Sequence, residues 1–183
     1  MAAKKRTSVY YIDNKRFYEE MKKYIESCRE AVAAEKEIPI IPNYIGECFY
    51  KIATKLSNKP NFMNYSYKDE MIGDGIENCI HYIKSFNPDK STNPFSYFTQ
   101  IVWHSFIHRI QKEKKQQYVK YKSMQNMLIH NENFSSQDSD GGHIISAEFH
   151  ENTQRFIATF ENNIQKNKKK KEEKKALENF IED

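Results

Sequence analysis

The strongest constraint on the fold is the spacing of apolar residues between Glu70 and Lys122. In the first part of this segment, apolar or small residues recur every three or four positions, which is the period of one buried helical face. They are Met71, Ile72, Gly75, Ile76, Cys79, Ile80 and Ile83. A loop is predicted from Asn87 to Pro94, where two prolines and several Asx and serine residues interrupt a helix. A second helix is predicted from Ser96 to Gln116.

This second helix carries more large apolar residues than one buried stripe can hold. They are Phe98, Ile101, Val102, Trp103, Phe106, Ile107 and Ile110. We therefore expect some of them to face solvent or a ligand. Between Arg109 and Lys122, six positive charges follow against one negative charge, that of Glu113. Aromatic rings beside a cationic run are typical of proteins that bind single-stranded or melted nucleic acid, because bases stack on rings and phosphates pair with lysines.

The same periodicity predicts two more helices on the N-terminal side. One begins with Asn14 as its cap and reaches about Ala34, and the next runs from about Asn43 to Leu56. The following loop contains Phe62 and Met63, which we expect to pack onto the domain. Five glycines in 183 residues and this helical period predict an all-α fold. Residues 1–125 are predicted to form one compact helical domain.

The C-terminal third differs in composition. Residues 126–165 are predicted to form a polar, acidic, flexible loop and then an amphipathic helix whose apolar side holds Phe149, Phe156, Ile157, Phe160 and Ile164. Residues 166–183 are predicted to be a lysine-rich linker followed by an apolar tail. The lysine-rich part fits either a solvated linker or lone helix, or a nucleic-acid-binding segment. Leu177, Phe180 and Ile181 lie beyond this charged stretch, which indicates a short docking motif.

Composition sets few limits on function. The net charge is +4, from 29 lysine and arginine residues against 25 acids. Cys28, Cys48 and Cys79 lie on apolar helical faces without a CxxC pair, so we expect reduced, buried thiols. Apolar runs are too short for a membrane span or a signal peptide.

Catalytic chemistry has little support in the sequence. His104 and His108 are four residues apart on a helix, but no third metal ligand is evident and Ser105 stands where metalloproteases place a glutamate. No carboxylate pair lies in an apolar setting, and no serine or cysteine has a base nearby. We expect a protein that is not an enzyme and uses no metal and no cofactor.

The segment Glu70–Gln111 resembles the second conserved region of the bacterial primary sigma factors, with one additional residue in the Asn87–Pro94 loop. It is more similar to the late-transcription sigma factors of T-even-like phages, in which E-M-I-x-D-G-I-E, an N-P pair in a loop and an R-I-K-K-E-like ending recur. That likeness extends weakly over the whole chain, including the apolar tail. The resemblance implies a compact sigma region 2-like domain with a flexible, charged C-terminal arm.

The resemblance also implies a polymerase contact. In the family, the helix aligned with Glu70–Asn78 packs against a basic coiled coil of the largest subunit of core RNA polymerase. The polar positions that recur here are Glu70, Asp74, Glu77 and Asn78. They are either a solvated face or the acidic surface that complements this coiled coil.

The resemblance further implies promoter DNA contacts from the aromatic and basic helix. The candidate residues are Phe95, Ser96, Tyr97, Phe98, Ile101, Val102, Trp103, His104, Ser105, His108, Arg109, Lys112, Lys114 and Lys115. In the family, aromatic pockets capture unstacked −10 bases, and two adjacent tryptophans wedge open the upstream edge of the bubble. Those wedge positions are Ile101 and Val102 here, with Trp103 one residue later, so either could serve. Ser105 and His108 align with residues that read base pairs.

The expected function is therefore that of a phage late-gene sigma factor. It would bind host core RNA polymerase, recognise and help melt an A/T-rich −10-like promoter element, and be activated by the phage sliding clamp through Leu177, Phe180 and Ile181. A phage co-activator is a further candidate partner, no membrane is involved, and the expected location is the cytoplasm of the infected bacterium. No pattern for a second, helix-turn-helix domain follows Lys122. The alternatives are a non-sigma nucleic-acid-binding adaptor or regulator of RNA polymerase, and a helical enzyme such as a nuclease.

Overall fold

The computed structural model describes the backbone of residues 11–130 and 147–182, and the side chains of residues 11–127, 149 and 151–173. These residues form only helices and connecting turns, which confirms the predicted all-α fold class. The helices are α1 (Asn14–Ala33), α2 (Asn43–Ser57), α3 (Lys68–His81), a short 3-10 helix (Ile83–Ser85), α4 (Pro94–His130) and α5 (Ala147–Glu182).

Helix α1 begins at Asn14 because the side chain of Asp13 caps it. Asp13 Oδ1 accepts hydrogen bonds from the backbone N–H groups of Lys15 at 3.0 Å and Arg16 at 3.3 Å. The prediction that Asn14 is the cap is therefore wrong, because the carboxylate before it already satisfies two of the open N–H groups. Asn14 Oδ1 instead accepts a hydrogen bond from the Phe95 N–H at 3.3 Å, which ties α1 to the start of α4.

Helix α1 ends in a Schellman motif. The Lys36 N–H donates to the Ala31 carbonyl at 2.9 Å, and the Glu35 N–H donates to the Val32 carbonyl at 3.3 Å. Glu35 has a φ of 52°, in the left-handed region that glycine usually occupies at this place. The motif explains why α1 stops at Ala33, close to its predicted end.

Buried aromatic rings join three helices. Phe17 of α1, Phe49 of α2 and Phe98 of α4 are fully buried. The ring centroids are 6.2 Å apart for Phe17 and Phe49, 5.9 Å for Phe17 and Phe98, and 4.5 Å for Phe49 and Phe98. Each such pair stabilises the fold by about 0.5–1.5 kcal/mol beyond the burial of the rings. Helix α2 also packs against both α1 and α3. The core therefore lies between α1, α2 and the first part of α4.

The loop between α2 and α3 contributes one side chain to this core. Phe62 is 1% exposed, and its ring meets the edges of Trp103 and Phe106 with centroids 4.8 and 5.1 Å apart. Met63 is 53% exposed, so the prediction that both residues pack down is correct only for Phe62. The backbone N–H groups of both residues bond to the same carbonyl, that of Lys59. In so tight a turn, successive side chains point in different directions.

Helix α4 begins at Pro94, two residues before the predicted start. Asn93 Oδ1 accepts a hydrogen bond from the Ser96 N–H at 3.1 Å, and Pro94 occupies the first helical position, where its missing N–H costs nothing. The helix continues to His130, well past the predicted end at Gln116. The basic run after Arg109 is therefore helical.

The chain divides into two compact units, Met1–Gln111 and Lys112–Asp183. In the second unit, aromatic side chains join the C-terminal half of α4 to α5. Tyr118 and Phe160 stack with centroids 4.6 Å apart, and Tyr121 meets the edge of Phe156 at 5.5 Å. Ile157 is buried. The predicted amphipathic helix therefore packs against α4.

The predicted amphipathic helix and the predicted lysine-rich linker belong to one continuous helix, α5. The segment predicted as a flexible charged arm is the C-terminal part of that helix. The predicted acidic loop, residues 131–142, lies outside the described residues, as do the side chains of the apolar tail.

The three cysteines are buried and reduced, as predicted. Burial raises the pKa of the Cys79 thiol to about 12, so this group stays protonated at neutral pH. Over the described residues, none of the helices combines the length and the apolar character that a membrane crossing requires.

Candidate nucleic-acid and partner surfaces

One side of α3 faces the core along Met71, Gly75 and Cys79. At Gly75 the helix lies so close to α4 that a Cβ atom would be 3.1 Å from side-chain atoms of both Phe106 and Val102. Because an α-helix turns by about 100° per residue, this buried row fixes the direction of every other side chain of α3.

Asp74 and Asn78 flank the buried row and bind α4. Asp74 Oδ2 is 3.2 Å from Arg109 Nη1, and their side chains are 34% and 19% exposed. Asn78 Nδ2 donates to Ser105 Oγ at 3.1 Å and to the Asp74 carbonyl at 2.8 Å. These two residues were predicted to share an outward face with Glu70 and Glu77. The side chains of Asp74 and Asn78 do not point outward. They lie next to the buried row of Met71, Gly75 and Cys79, and both bond to α4.

The outward side of α3 is a separate surface, which we call the acidic face. It consists of the exposed residues Asp69, Glu70, Gly73, Glu77 and Ile80. Ile80 was predicted to be in the core but is 48% exposed, at the C-terminal end of this face and one turn from Glu77. The sequence predicted Ile80 to be buried because this residue follows the apolar spacing of α3. The buried side of the helix is narrower than that spacing indicates.

Helix α4 presents a second surface, which we call the polar stripe. It consists of exposed residues at three- and four-residue spacing: Ser96, Gln100, His104, His108 and Gln111. They lie opposite the buried residues Phe98, Val102 and Phe106. Three predicted DNA-binding residues, Ser96, His104 and His108, are in this stripe.

Three other predicted DNA-binding residues are buried. Phe98 and Val102 have no exposed surface and Ser105 is 7% exposed. Phe98 packs on Phe49, and Ser105 bonds to Asn78. In this conformation they support the surface from the core, and their assignment as DNA contacts stays a prediction. A wedge formed by Ile101 and Val102 would require Val102 to leave the core.

The remaining aromatic and aliphatic candidates are half-buried. They are Phe95, Tyr97, Ile101 and Trp103. Trp103 rests its ring against Phe62. Phe95 and Tyr11 meet edge to face, with centroids 5.7 Å apart, at a cleft of about 190 Å³ that Asn14 and Asn93 also line. Tyr11 and the two asparagines were not predicted as site residues. Tyr11 and Asn14 are about 80 residues from Phe95 in sequence, and only the fold brings them to it.

The cationic candidates differ in their surroundings. Arg109 is held by Asp74, so this guanidinium links α3 to α4 in this conformation. Lys112, Lys114 and Lys115 are exposed on the continuation of α4. Flexible, exposed ammonium groups suit phosphate contacts, because such contacts need charge without fixed geometry.

Two exposed amides of the polar stripe, Gln100 and Gln111, were not predicted to bind DNA. A glutamine amide can pair with both N6 and N7 of adenine in the major groove, a geometry that serine and histidine lack. The four-residue spacing of Gln100, His104 and His108, with Gln111 three residues later, could have predicted this polar side of α4. The many apolar residues between these positions hide the spacing.

His104 and His108 are both exposed on the stripe. Among the side chains that the structure describes, no group of three or more His, Cys, Asp or Glu residues could hold a metal ion. The backbone of the predicted clamp-binding residues Leu177, Phe180 and Ile181 lies in α5, and their side chains are outside the described residues. The sequence matches none of the models of known protein families and none of the curated proteins with which it was compared.

Proposed function

We propose that this chain is a phage late-gene sigma factor that confers promoter recognition on a bacterial core RNA polymerase. The observation that carries the proposal is the pairing of two chemically different surfaces on adjacent helices of one unit. The acidic face lies on α3 and the polar stripe lies on α4. The contacts Asp74–Arg109 and Asn78–Ser105 join these two helices. A sigma factor needs this combination because it must hold polymerase and DNA at the same time.

The acidic face is the proposed polymerase contact. Its carboxylates, Asp69, Glu70 and Glu77, suit the basic coiled coil that the family resemblance implies, because complementary charge speeds encounter and fixes the register of binding. Ile80 adds an apolar side chain that such an interface would cover. Asp74 and Asn78 support this surface indirectly, because their bonds to Arg109 and Ser105 hold α3 against α4.

The polar stripe and the cleft beside Phe95 are the proposed promoter contacts. Gln100, Gln111 and the two histidines supply hydrogen-bonding groups for base edges, each good bidentate pair contributing about 1–3 kcal/mol of discrimination. The cleft between the rings of Phe95 and Tyr11 suits an unstacked base of a melted A/T-rich element. Trp103, rather than the pair Ile101–Val102, is the proposed wedge, because Val102 is in the core.

The tail is the proposed clamp contact. Leu177, Phe180 and Ile181 follow a segment whose described side chains are all exposed. Burial of two or three such side chains stabilises docking by about 1.5–3 kcal/mol each before the cost of ordering the tail. Weak docking of this kind becomes effective when the clamp is loaded on the same DNA, because tethering raises the local concentration.

Polymerase binding tests the first half of the proposal. We expect Glu70→Lys with Glu77→Lys to weaken binding of core RNA polymerase by about 3 kcal/mol, or roughly a hundredfold, because like charges would then face each other. The control is the same double reversal at Glu19 and Glu30, which are exposed on α1. Equal affinities for the two variants would exclude the acidic face as the contact.

Base capture separates a sigma factor from a polymerase-binding adaptor. The complex of the chain with core polymerase should bind a single-stranded oligonucleotide carrying an A/T-rich −10-like element more tightly than a scrambled one. Because the cleft between Phe95 and Tyr11 is the proposed site for an unstacked base, Tyr11→Ala should weaken binding of the A/T-rich oligonucleotide by about tenfold. A complex that binds both oligonucleotides equally would identify an adaptor.

A further inference from the structure

The second half of α5 is a helix without a packing partner among the described side chains. Up to Glu161 the helix is held to α4, because Phe160 stacks on Tyr118 and Glu161 bonds to both Tyr118 and Lys122. From Asn162 to Glu173 every side chain is exposed. Its one large apolar side chain, Ile164, is 41% exposed. A helix that is polar on all sides gains nothing from burial, so packing does not account for its composition.

That composition is dominated by lysine. Lys166, Lys168, Lys169, Lys170 and Lys171 place five positive charges in six consecutive residues. Like charges three or four residues apart repel on a helix, as at Lys166 with Lys169 and Lys170. Glu172 and Glu173 offset part of this repulsion, and the segment 166–173 keeps a net charge of +3 from five lysines and two glutamates.

The charge density of this segment matches that of DNA. With a rise of about 1.5 Å per residue, five charges from Lys166 to Lys171 lie along about 7.5 Å of helix axis. That is about one positive charge per 1.5 Å, against one negative charge per ~1.7 Å along duplex DNA. Lys166, Lys169 and Lys170 share one side of the helix, which can supply charge to phosphates without a fixed pattern for reading bases.

We infer that Lys166–Lys171 of α5 is a second, sequence-independent site for the phosphate backbone of DNA. It is distinct from the polar stripe of α4, and it requires neither polymerase nor a promoter. Its role would be to hold the protein on DNA through counterion release while other surfaces read sequence or bind partners.

The test measures the salt dependence of DNA binding by the full chain. A short mixed-sequence duplex without an A/T-rich element is titrated at several salt concentrations. Changing all five lysines to Gln should reduce the slope of log K against log salt by about 2–3, because about three of them can contact one duplex at a time and each phosphate contact contributes about 0.9. Changing the same five to Arg should keep the wild-type slope. Gln and Arg have helix propensities close to that of Lys, so α5 should remain helical by circular dichroism.

The matched control removes five exposed lysines of the first unit: Lys15, Lys36, Lys55, Lys59 and Lys90. Their change to Gln should leave the slope within about one unit of wild type. An unchanged slope in the α5 variant, or an equal loss in the control, would overturn the proposal. So would tighter binding to poly-glutamate than to the duplex at the same salt, which would identify an acidic polypeptide as the partner. Because neither polymerase nor promoter is present, the result does not depend on the proposed sigma function.

Discussion

Two glycines of α3 lie two residues apart and have opposite surroundings. A Cβ atom at Gly73 would have no neighbour within 4 Å, whereas at Gly75 it would be 3.1 Å from Phe106 Cε1 and Val102 Cγ1. Gly73→Ala should therefore stabilise the fold by about 0.5–1 kcal/mol, because alanine is the better helix former. Gly75→Ala gains the same propensity but overpacks the core, at a cost of about 1–3 kcal/mol.

Urea denaturation of the two variants measures this difference. The free energy of unfolding should be higher for Gly73→Ala than for Gly75→Ala by about 1–3 kcal/mol. Equal stabilisation of both variants would mean that α3 does not approach α4 as closely as the structure has it.

Glu35 is a second residue whose backbone predicts the effect of a substitution. Its φ of 52° is strained for a residue with a Cβ atom, and its place in the Schellman motif is one that glycine favours. Glu35→Gly should raise the free energy of unfolding by about 0.5–1 kcal/mol. The control Glu37→Gly lies two residues later in the same connector, outside the left-handed region, and should be neutral or destabilising. A loss of stability in Glu35→Gly would show that the motif is not formed in solution.

At the level of single residues, sequence reasoning identified which residues of α3 are polar but not where they point. The apolar pattern from Met71 to Ile80 covers a wider arc than α4 and α2 can bury. The actual buried row depends on Gly75, whose missing side chain lets α4 approach. Asp74 then lies beside the interface and meets Arg109, a partner 35 residues away. Nothing in local spacing reveals that pairing.

The contact between α4 and α5 is an element-level feature with a predictable pH dependence. Hydrogen bonds from Tyr118, at 2.9 Å, and from Lys122, at 3.2 Å, hold the pKa of Glu161 below its ordinary value. A carboxyl whose pKa is lower in the folded state stabilises the fold above its unfolded pKa, near 4.3. This contribution is lost as the pH falls through the lower, folded value.

We therefore expect the α4–α5 contact to weaken on acidification in that window. The measurement is the chemical shift of the Phe160 ring, which stacks on Tyr118, as a function of pH. Glu161→Gln should remove the acid transition while leaving the rings stacked at neutral pH. An acid transition that is the same in wild type and Glu161→Gln would assign it to another group.

Helices as elements were predictable because their apolar periods are long, whereas their ends depend on single side chains. Asn14 was predicted to cap α1, but Asp13 caps it. Both side chains can cap a helix, and the sequence does not show that Asn14 bonds to Phe95 instead. The sequence prediction ended α4 at Gln116, because the basic residues beyond it do not continue the apolar face that packs in the first unit. The aromatic residues Tyr118 and Tyr121 of this part of α4 instead pack on α5, within the second unit.

For the molecule as a whole, the sequence predicted which helix carries the candidate DNA surface. It predicted only some of the residues that form that surface. His104, His108, Lys112, Lys114 and Lys115 are exposed. Phe98 and Val102 belong to the core, because aromatic and aliphatic residues suit both a base-binding pocket and a helix interface. Sequence alone cannot separate those two uses, since both require the same residue types.

The tail gives a prediction at this scale. Phe180→Ala with Ile181→Ala should abolish initiation that depends on a DNA-loaded sliding clamp and spare clamp-independent initiation on pre-melted DNA. The reason is that loss of apolar contact removes tethering but leaves polymerase and promoter contacts in place. Transcript yield with and without clamp measures both activities. A parallel loss of the two activities would make the tail part of the fold, and no loss would exclude clamp docking.

Run-off transcription tests the central claim most directly. Core RNA polymerase is supplied with the purified chain and a linear template that has an A/T-rich −10-like element and no upstream promoter element. The proposed function predicts a transcript of defined length that requires the chain and disappears when the −10-like element is scrambled. The absence of a defined transcript, under conditions in which the chain is bound to polymerase, would contradict it.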